Sequence, residues 1–474
     1  MTRISSRTAG PIFMSFLAMG FADALTPFVS LGRDQFHLSY LAAQLIPFTG
    51  FAMFGLLSIP TGVLQARIGR VRVLSIGLIA MLAAVAIPMV LGLHSFSLFL
   101  ATTLLLGVGA TLLQVSTGPL LQDACEPGKF PQRVLTAHCL HGVGSLTGPL
   151  IPALAALALG AGWHVVFPVY AAALALTLTA VRLAGPRNSR PAAGYDNRPT
   201  IRSPLALLKK RDVAVAAGML FAYMGAEITV GSQIPLLLHS AFGYDTVRTG
   251  MLGAASFVAA LAGGRLLGQR LLRHMSPSTL LRVSCLTGVL GLAVAFVPVA
   301  LVAAAGFVLA GLGFANVFPL IYAATLNRTP AQHTDAVSSI LLTTVCGGAL
   351  IPLLAGLVAD TTNDIHNTLL IPLAIFIALA VRTFRPEQPG DPRRTGEGTT
   401  PIPVLTEDRP ATASAGSRHS PGPAGGQDRR SGSHGVSAAA GRSRSPRCAG
   451  SPPLTRQAKR ECAVQRRQSD RNER

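Results

Sequence analysis

Twelve runs of apolar residues, each roughly 20–25 residues long, dominate this sequence of 474 residues. A helix of about 20 residues crosses the hydrocarbon core of a bilayer, and lipid offers the backbone no hydrogen-bond partners, so each run predicts one membrane-spanning helix. Composition agrees, because 50% of the residues are hydrophobic and only 13% are charged, well below the charged share of ordinary soluble domains. We therefore expect an all-α membrane protein.

The predicted spans form two groups of six. The first six lie near residues 10–31, 40–63, 73–94, 96–122, 135–160 and 163–184. The second six lie near residues 212–239, 248–272, 278–299, 300–326, 335–359 and 364–384. The predicted parts of the chain are therefore an N-terminal six-helix bundle (1–184), a basic cytoplasmic linker (185–211), a C-terminal six-helix bundle (212–384) and a basic tail (385–474). The tail is rich in Arg, Ser, Gly and Pro, which predicts disorder.

Basic residues are concentrated in every second loop, which predicts the orientation of the chain. Arg67, Arg70 and Arg72 join the second and third spans, and the linker holds a larger cluster. Because cytoplasmic loops carry an excess of Lys and Arg, both termini are predicted to lie in the cytoplasm and the protein in the cell inner membrane. Topology and attraction to anionic lipid explain the basic residues behind the net charge of +20 better than nucleic-acid binding does. We therefore expect the bilayer as a partner and no nucleic acid.

Several classes of function find no support in the sequence. The six cysteines have no metal-site spacing and no disulfide framework, and no Walker loop is present, which argues against an ATP-driven pump. No soluble-enzyme motif is found. We expect no enzyme activity, no metal and no cofactor.

Two acidic residues lie deep inside predicted spans, Asp23 in the first and Glu227 in the seventh. A charged side chain at this depth is unfavourable, so such residues usually face a cavity. The first and seventh spans are equivalent positions in the two halves, which predicts that both carboxylates face a central pathway and exchange protons there. The alternative is a structural hydrogen bond or proximity to a helix end.

Other polar side chains within the spans are candidates for binding a solute. His138 and His141 have i, i+3 spacing, which places both imidazoles on one helix face, suited to hydrogen bonding or proton relay. A metal site is disfavoured because no third ligand is evident, and core histidines bonded to neighbouring carbonyls are the alternative. The remaining candidates are Gln114, Tyr223, Gln233 and Asn316.

Residues 62–72 read GVLQARIGRVR and follow the second span. This segment resembles the loop motif of major facilitator transporters, although Ala66 stands where that motif usually has an acid. A partial echo, GRLLGQR, occupies residues 264–270. The resemblance implies a gating loop whose residues are Gly62, Arg67, Gly69, Arg70 and, from the echo, Arg265.

Four further segments, Phe21–Pro27, Leu113–Pro119, Tyr223–Glu227 and Cys346–Pro352, read FADALTP, LQVSTGP, YMGAE and CGGALIP, and the last is followed by Gly356 and Asp360. They resemble, in order, signatures of the fucose/galactose/glucose:proton symporter family. The resemblance implies the major facilitator fold, with twelve helices in two halves around a central site. It also implies that Asp23 couples proton movement to sugar binding, and that His138 and His141 replace the Gln and Asn that bind sugar hydroxyls in the family.

This chain departs from the family pattern where polar ligands are expected. Besides the two histidines, Ala22 and Gly118 replace asparagines, and Gln114 falls where some members carry a second acid. The sequence therefore predicts a monomeric, proton-coupled importer of a small polar solute, with a sugar favoured and its identity open. The alternatives are a drug or metabolite exporter of the same fold and a membrane sensor that signals through its tail.

Overall fold

A computed structural model of the protein describes residues 6–124, 130–184, 207–329 and 334–384, and all regular structure within them is helical. Eleven helices there are long and apolar enough to cross a membrane, and the bent pair Gly10–Leu25 and Phe28–Phe36 is a twelfth if taken as one span. The predicted all-α membrane fold is confirmed. Most of the predicted linker, 185–206, and the whole predicted tail, 385–474, lie outside the described residues.

We number the spans α1 to α12. The first half contains α1 (Ser6–Gly20, the 3₁₀ segment Phe21–Leu25, and Phe28–Phe36), α2 (Leu45–Ile68, after the short helix Tyr40–Ala43), α3 (Arg70–Leu91), α4 (Phe96–Ala124), α5 (Phe130–Leu159) and α6 (Val166–Ala184, after the turn Trp163–Val165). The second half contains α7 (Arg211–Phe242), α8 (Met251–Leu271, after the π-helical turn Thr246–Gly250), α9 (Pro277–Ala295), α10 (Ala300–Phe314 and Val317–Asn327), α11 (Thr334–Thr343, the 3₁₀ turn Thr344–Cys346, and Gly347–Thr362) and α12 (Leu370–Phe384, after Ile365–Leu369).

The first span is broken near its middle because of Pro27. Proline has no backbone N–H, so it cannot bond the carbonyl four residues earlier, which belongs to Asp23. That carbonyl instead accepts the N–H of Thr26 at 3.1 Å, the shorter-range bond of a 3₁₀ helix. The two parts of α1 meet at 43°. The break puts the side chain of Asp23 on irregular backbone in the centre of the bundle.

Large apolar side chains cover the outside of the bundle. Leu183 and Leu301, for example, are 83% and 81% exposed. In water such a surface would be unfavourable, whereas lipid tails accept it without penalty. The exposure pattern therefore agrees with a membrane environment for the whole bundle.

The two halves meet mainly where α2 packs on α11 and where α5 packs on α8. We call the end of the bundle that carries loops 37–39, 160–162, 243–245 and 363–364 the outer end, and the opposite end the inner end. By the predicted orientation the inner end is cytoplasmic. Within the first half α1 packs closely on α5, and this contact positions the polar groups described next.

Candidate functional site

The carboxylate of Asp23 binds two side chains of α5. Its Oδ2 lies 3.0 Å from Nε2 of His141 and accepts a hydrogen bond from the hydroxyl of Ser145. The Asp23 side chain is still 38% exposed, although its chain neighbours Ala22 and Ala24 are buried. This carboxylate therefore faces open space inside the fold rather than a packed core.

Glycines on both helices allow α1 and α5 to approach closely enough for these bonds. A Cβ on Gly148 would lie 2.7 Å from that of Ala24, and one on Gly20 would lie 2.6 Å from the backbone nitrogen of Ser145. Either distance is too short for real atoms. Small residues of this kind are the usual means of close helix packing in membranes.

The two histidines of α5 have different surroundings. His141 uses Nε2 for Asp23, and its Nδ1 is buried without a hydrogen-bond partner among the residues that the structure describes. His138 lies one turn nearer the inner end and is exposed; its ring meets that of Phe16 edge-on at 5.8 Å and lies tilted to that of His141 at 6.4 Å between centroids. The predicted pair shares one helix face, but only His141 is joined to the acid.

The second half contributes charges to the same space. Glu227 on α7 is half-buried and interacts electrostatically with Asp23, His141 and Arg265. Arg265 on α8 also interacts with Asp23 and His138. Within the described part of the chain neither Glu227 nor Arg265 forms an ion pair. The charged groups therefore interact across a distance and not by direct contact. That both acids face one central pathway stays a prediction.

Arg265, which the resemblance assigns to the gating loop, lies on a helix rather than in a connection between helices, and its part in gating stays a prediction. The helix α8 continues to Leu271, and Arg265 lies within it. No proline or left-handed residue interrupts the segment, so the helix keeps its hydrogen bonds past the echo of the loop motif. The guanidinium belongs to the central group of charges instead.

Two of the predicted solute ligands are engaged in packing. Tyr223 is fully buried, and its hydroxyl donates to the carbonyl of Phe314 at 2.9 Å. Asn316 donates its side-chain amide to the carbonyl of Gly264 at 3.0 Å and thereby joins α10 to α8. In the described arrangement both polar groups bond to other residues of the second half.

The two glutamines are available for other partners. Gln233 is fully buried, and neither polar atom of its side chain has a hydrogen-bond partner among the described residues. Gln114 is half-buried on α4 and forms no hydrogen bond with any other described residue. A buried amide without partners is unfavourable, so Gln233 in particular is suited to a state in which water or solute reaches it.

The predicted gating loop is a tight connection between α2 and α3. Gly69 has φ 94° and ψ 151°, a conformation that other residues rarely adopt, and it lets the two helices follow each other directly. Arg70 Nη1 lies 2.5 Å from a carboxylate oxygen of Asp123, at the inner end of α4. Arg67 is exposed, and Gly62 has open space where a Cβ would lie.

Ser145 was not predicted as a site residue. It follows His141 by one turn, so a His-x-x-x-Ser pattern on one helix face is the signal that identifies it. The described residues contain no group of three or more His, Cys, Asp or Glu side chains arranged to hold a metal ion.

Residues 12–351 match the family described as Major Facilitator Superfamily. A glucose/galactose transporter of Brucella abortus biovar 1 (strain 9-941) is 27% identical over 375 residues, covering 76% of this chain and 88% of that protein. A putative glucose/galactose transporter of Helicobacter pylori (strain J99) is 24% identical over 412 residues, covering 80% and 97%. The predicted resemblance to sugar:proton symporters is confirmed.

Solved structures show the same fold. The fucose:proton symporter FucP of E. coli superposes with a TM-score of 0.58 at 17% identity, covering 80% of this chain and 98% of that protein. A bacterial homolog of the human lysosomal transporter Spinster superposes with a TM-score of 0.64 at 15% identity, covering 80% and 97%.

Proposed function

The chain belongs to the Major Facilitator Superfamily, and on that premise we propose that it imports a sugar, or a related small polar solute, together with protons by alternating access. It is a multi-pass membrane transporter rather than an enzyme. The names of its relatives, glucose/galactose transporters and a fucose:proton symporter, support both the solute class and the coupling ion. Their identity to this chain is too low to assign one particular sugar.

The observation that carries the proposal is the group formed by Asp23, His141 and Ser145. A carboxyl group in the membrane is held here by two hydrogen-bonding partners while its side chain remains 38% exposed. A proton that reaches Asp23 cancels its charge and turns one of its oxygens into a donor. The hydrogen bonds to α5 must then rearrange.

This rearrangement supplies a coupling mechanism. With solute bound, an ionised carboxylate in the closed interior is unfavourable, so the carrier loaded with solute alone resists the rocking step. Protonation removes that barrier, so joint binding of solute and proton permits the step. In the empty carrier Asp23 keeps its bonds to His141 and Ser145, which allow the carrier to return. Sugar hydroxyls, which both donate and accept hydrogen bonds, are suited to the carboxylate of Glu227 and, once this rearrangement exposes it, to the buried Nδ1 of His141.

We also propose that the protein is a monomer in the cell inner membrane with both termini in the cytoplasm. The concentration of Arg and Lys in the loops of the inner end supports this orientation. Opposite orientation would leave those charges on the translocated side.

The first experiment is uptake by expressing cells of radiolabelled hexoses, deoxyhexoses, amino sugars and sugar acids, with and without a protonophore. Import coupled to protons predicts accumulation of one solute class and its collapse when the protonophore is added. Cells that accumulate none of these solutes, with the protein present in the membrane, would contradict the proposal and favour the exporter or sensor.

Substitution of Asp23 tests the coupling itself. We expect Asp23→Asn to abolish proton-driven accumulation while exchange of labelled for unlabelled solute continues, because the neutral amide mimics the protonated acid. Asp364→Asn is the control: Asp364 lies in the loop before α12, and among the described residues its side chain bonds only to His366. Normal accumulation by Asp23→Asn would refute the assignment of this residue.

A further inference from the structure

A carboxylate of the second half closes the outer end of the bundle on the first half. Asp360, near the end of α11, accepts the backbone N–H of Tyr40 at 2.8 Å with Oδ1 and that of Leu41 at 2.9 Å with Oδ2. These two N–H groups begin the short helix that leads into α2, where no earlier carbonyl is available to them. Both oxygens of one charged group are thus used across the interface between the halves.

The backbone of α11 is shaped for this contact. Gly356 lies one turn before Asp360, and a Cβ at that position would come within 2.9 Å of the backbone atoms of Tyr40 and Leu41. A side chain there would force α2 and α11 apart. The glycine lets the two helices approach until the carboxylate reaches both N–H groups.

Other hydrogen bonds join the halves at the same end. Thr246 donates to Asp34 at 2.7 Å, the Tyr40 hydroxyl donates to Ser240 at 3.2 Å, and Ser232 donates to Gln44 at 3.4 Å. Each of these is a single bond. Asp360 alone among them combines a charge, two acceptor oxygens and a helix N-terminus, which attracts negative charge.

We propose that Asp360 is the latch of the outer gate. Its carboxylate caps the short helix Tyr40–Ala43, which leads into α2, while the outer end is closed, and it must release both N–H groups when this end opens to admit solute. Such a residue does not touch the solute. It sets the ratio of closed to open carriers and so positions the site for each step of transport.

Closure of the outer end also buries polar groups, which is unfavourable and opposes the stabilisation by Asp360. The Nε2 of Gln44 and both polar side-chain atoms of Gln233 are buried without partners among the described residues. Opening would give these amides water or solute. The latch therefore offsets an unfavourable burial, which keeps the gate poised between two states rather than permanently shut.

At the inner end the sequence lacks the matching acid. The loop motif after α2 has Ala66 where an acid is usual, and Arg70 pairs with Asp123 of its own half. Among the described residues, the charged contact of α2 and its leading turn with the second half therefore lies at the outer end. This asymmetry favours carriers whose outer end is closed.

Labelling of a native cysteine from outside intact cells tests the latch. Cys346 is half-buried on α11 beside Gly55 of α2, within the interface, whereas Cys285 on α9 is fully buried. Full-length protein is treated with a membrane-impermeant maleimide, and modification of each cysteine is read by peptide mass spectrometry. Cys285 reports whether each variant is folded, since it reacts only if the second half opens up.

We expect Asp360→Asn to increase the labelling rate of Cys346 about two- to fivefold, the order expected for loss of an exposed carboxylate from a helix N-terminus. Asp364→Asn removes the same charge from the same end but breaks only bonds within its own loop, so its rate should equal that of the unmodified protein. Cys285 should stay unlabelled in all three proteins.

Two results would overturn the latch. One is an unchanged Cys346 rate in Asp360→Asn. The other is an equal increase in both variants, which would indicate a general effect of charge at this end. If Cys285 is labelled in Asp360→Asn, that variant is not folded, and Asp360→Glu is tested instead. The longer carboxylate of Glu should restore folding and slow the labelling of Cys346 if the latch is real. Fast labelling of Cys346 in Asp360→Glu would also overturn the latch.

The labelling assay requires that the two halves rock, as in the proposed function, but not that the solute is a sugar or that protons drive it. A faster Cys346 reaction in a chain that imports no sugar would therefore support the latch and reject the solute class. Sugar import together with an unchanged Cys346 labelling rate in Asp360→Asn would support the solute class and reject the latch.

Discussion

At the scale of single residues, the bond between Asp23 and His141 distinguishes two histidines that the sequence presents as a pair. His141 is tied to the carboxylate at 3.0 Å, whereas His138 is exposed and interacts with the rings of Phe16 and His141 and with Arg265. Their roles should differ accordingly, because of the two only His141 contacts the carboxylate of Asp23.

We expect His141→Ala to lower proton-driven accumulation at least tenfold and to change its pH dependence. The reason is that the hydrogen-bond partners of Asp23 determine the proton affinity of that carboxylate. His138→Ala is the matched variant on the same helix face, and we expect it to raise KM for the solute while the accumulation ratio is retained. Initial uptake rates across a range of pH and solute concentrations separate these effects. Identical profiles for the two variants would argue against a distinct role for His141.

At the scale of helices, the contact between α1 and α5 depends on glycine. Gly144 lies directly against the carbonyl of Leu17, so that a methyl group there has no space, whereas a methyl group on Gly142 would lie 3.7 Å from the Cβ of Ala262, an ordinary contact. The two glycines are separated by one residue on the same helix. They therefore provide a matched pair for testing the close approach.

We expect Gly144→Ala to destabilise the purified protein by about 1–3 kcal/mol, the usual penalty for overpacking, and to weaken coupling because Asp23 moves away from Ser145. Gly142→Ala should have little effect on either property. Thermal unfolding in detergent, together with accumulation assays in cells, measures both. Equal melting temperatures for the two variants would mean that α1 and α5 are not held as the structure describes.

At the scale of the whole molecule, the described helices and the family match both end well before the C-terminus. The match covers residues 12–351, and Met1–Pro392 form one compact unit by their contacts. Import requires the two halves and the space between them. It does not require a further segment.

We therefore expect a chain that ends at Pro392 to import its solute at a rate within about twofold of the full chain, per molecule at the cell surface, because a folded bundle that keeps all its spans keeps its pathway. Uptake normalised to surface-labelled protein is the measurement. A sensor that signals through its tail would instead lose its output on truncation. Loss of uptake by a truncated protein that reaches the membrane normally would contradict this prediction.

The membrane-spanning architecture was predictable from the sequence with little ambiguity. Lipid cannot satisfy backbone hydrogen bonds, so an apolar run of sufficient length has to be a helix, and the predicted spans agree with the described helices to within a few residues at most ends. Asp23 and Glu227 were recognisable for the same reason, since an acid in such a run is unfavourable without a function. The signatures around them were sufficient to indicate the family.

Which side chains meet was decided only by the tertiary structure. Asp23 and His141 are 118 residues apart in the chain, and Asp360 and Tyr40 are 320 apart. Spans of this kind are apolar on nearly all sides, because one side faces lipid and another faces packed neighbours. The pattern of apolar residues therefore does not show which face points inward. Ser145, the central position of Arg265 and the cap on α2 follow from how closely the glycines let the helices approach, and that is a property of the packed bundle.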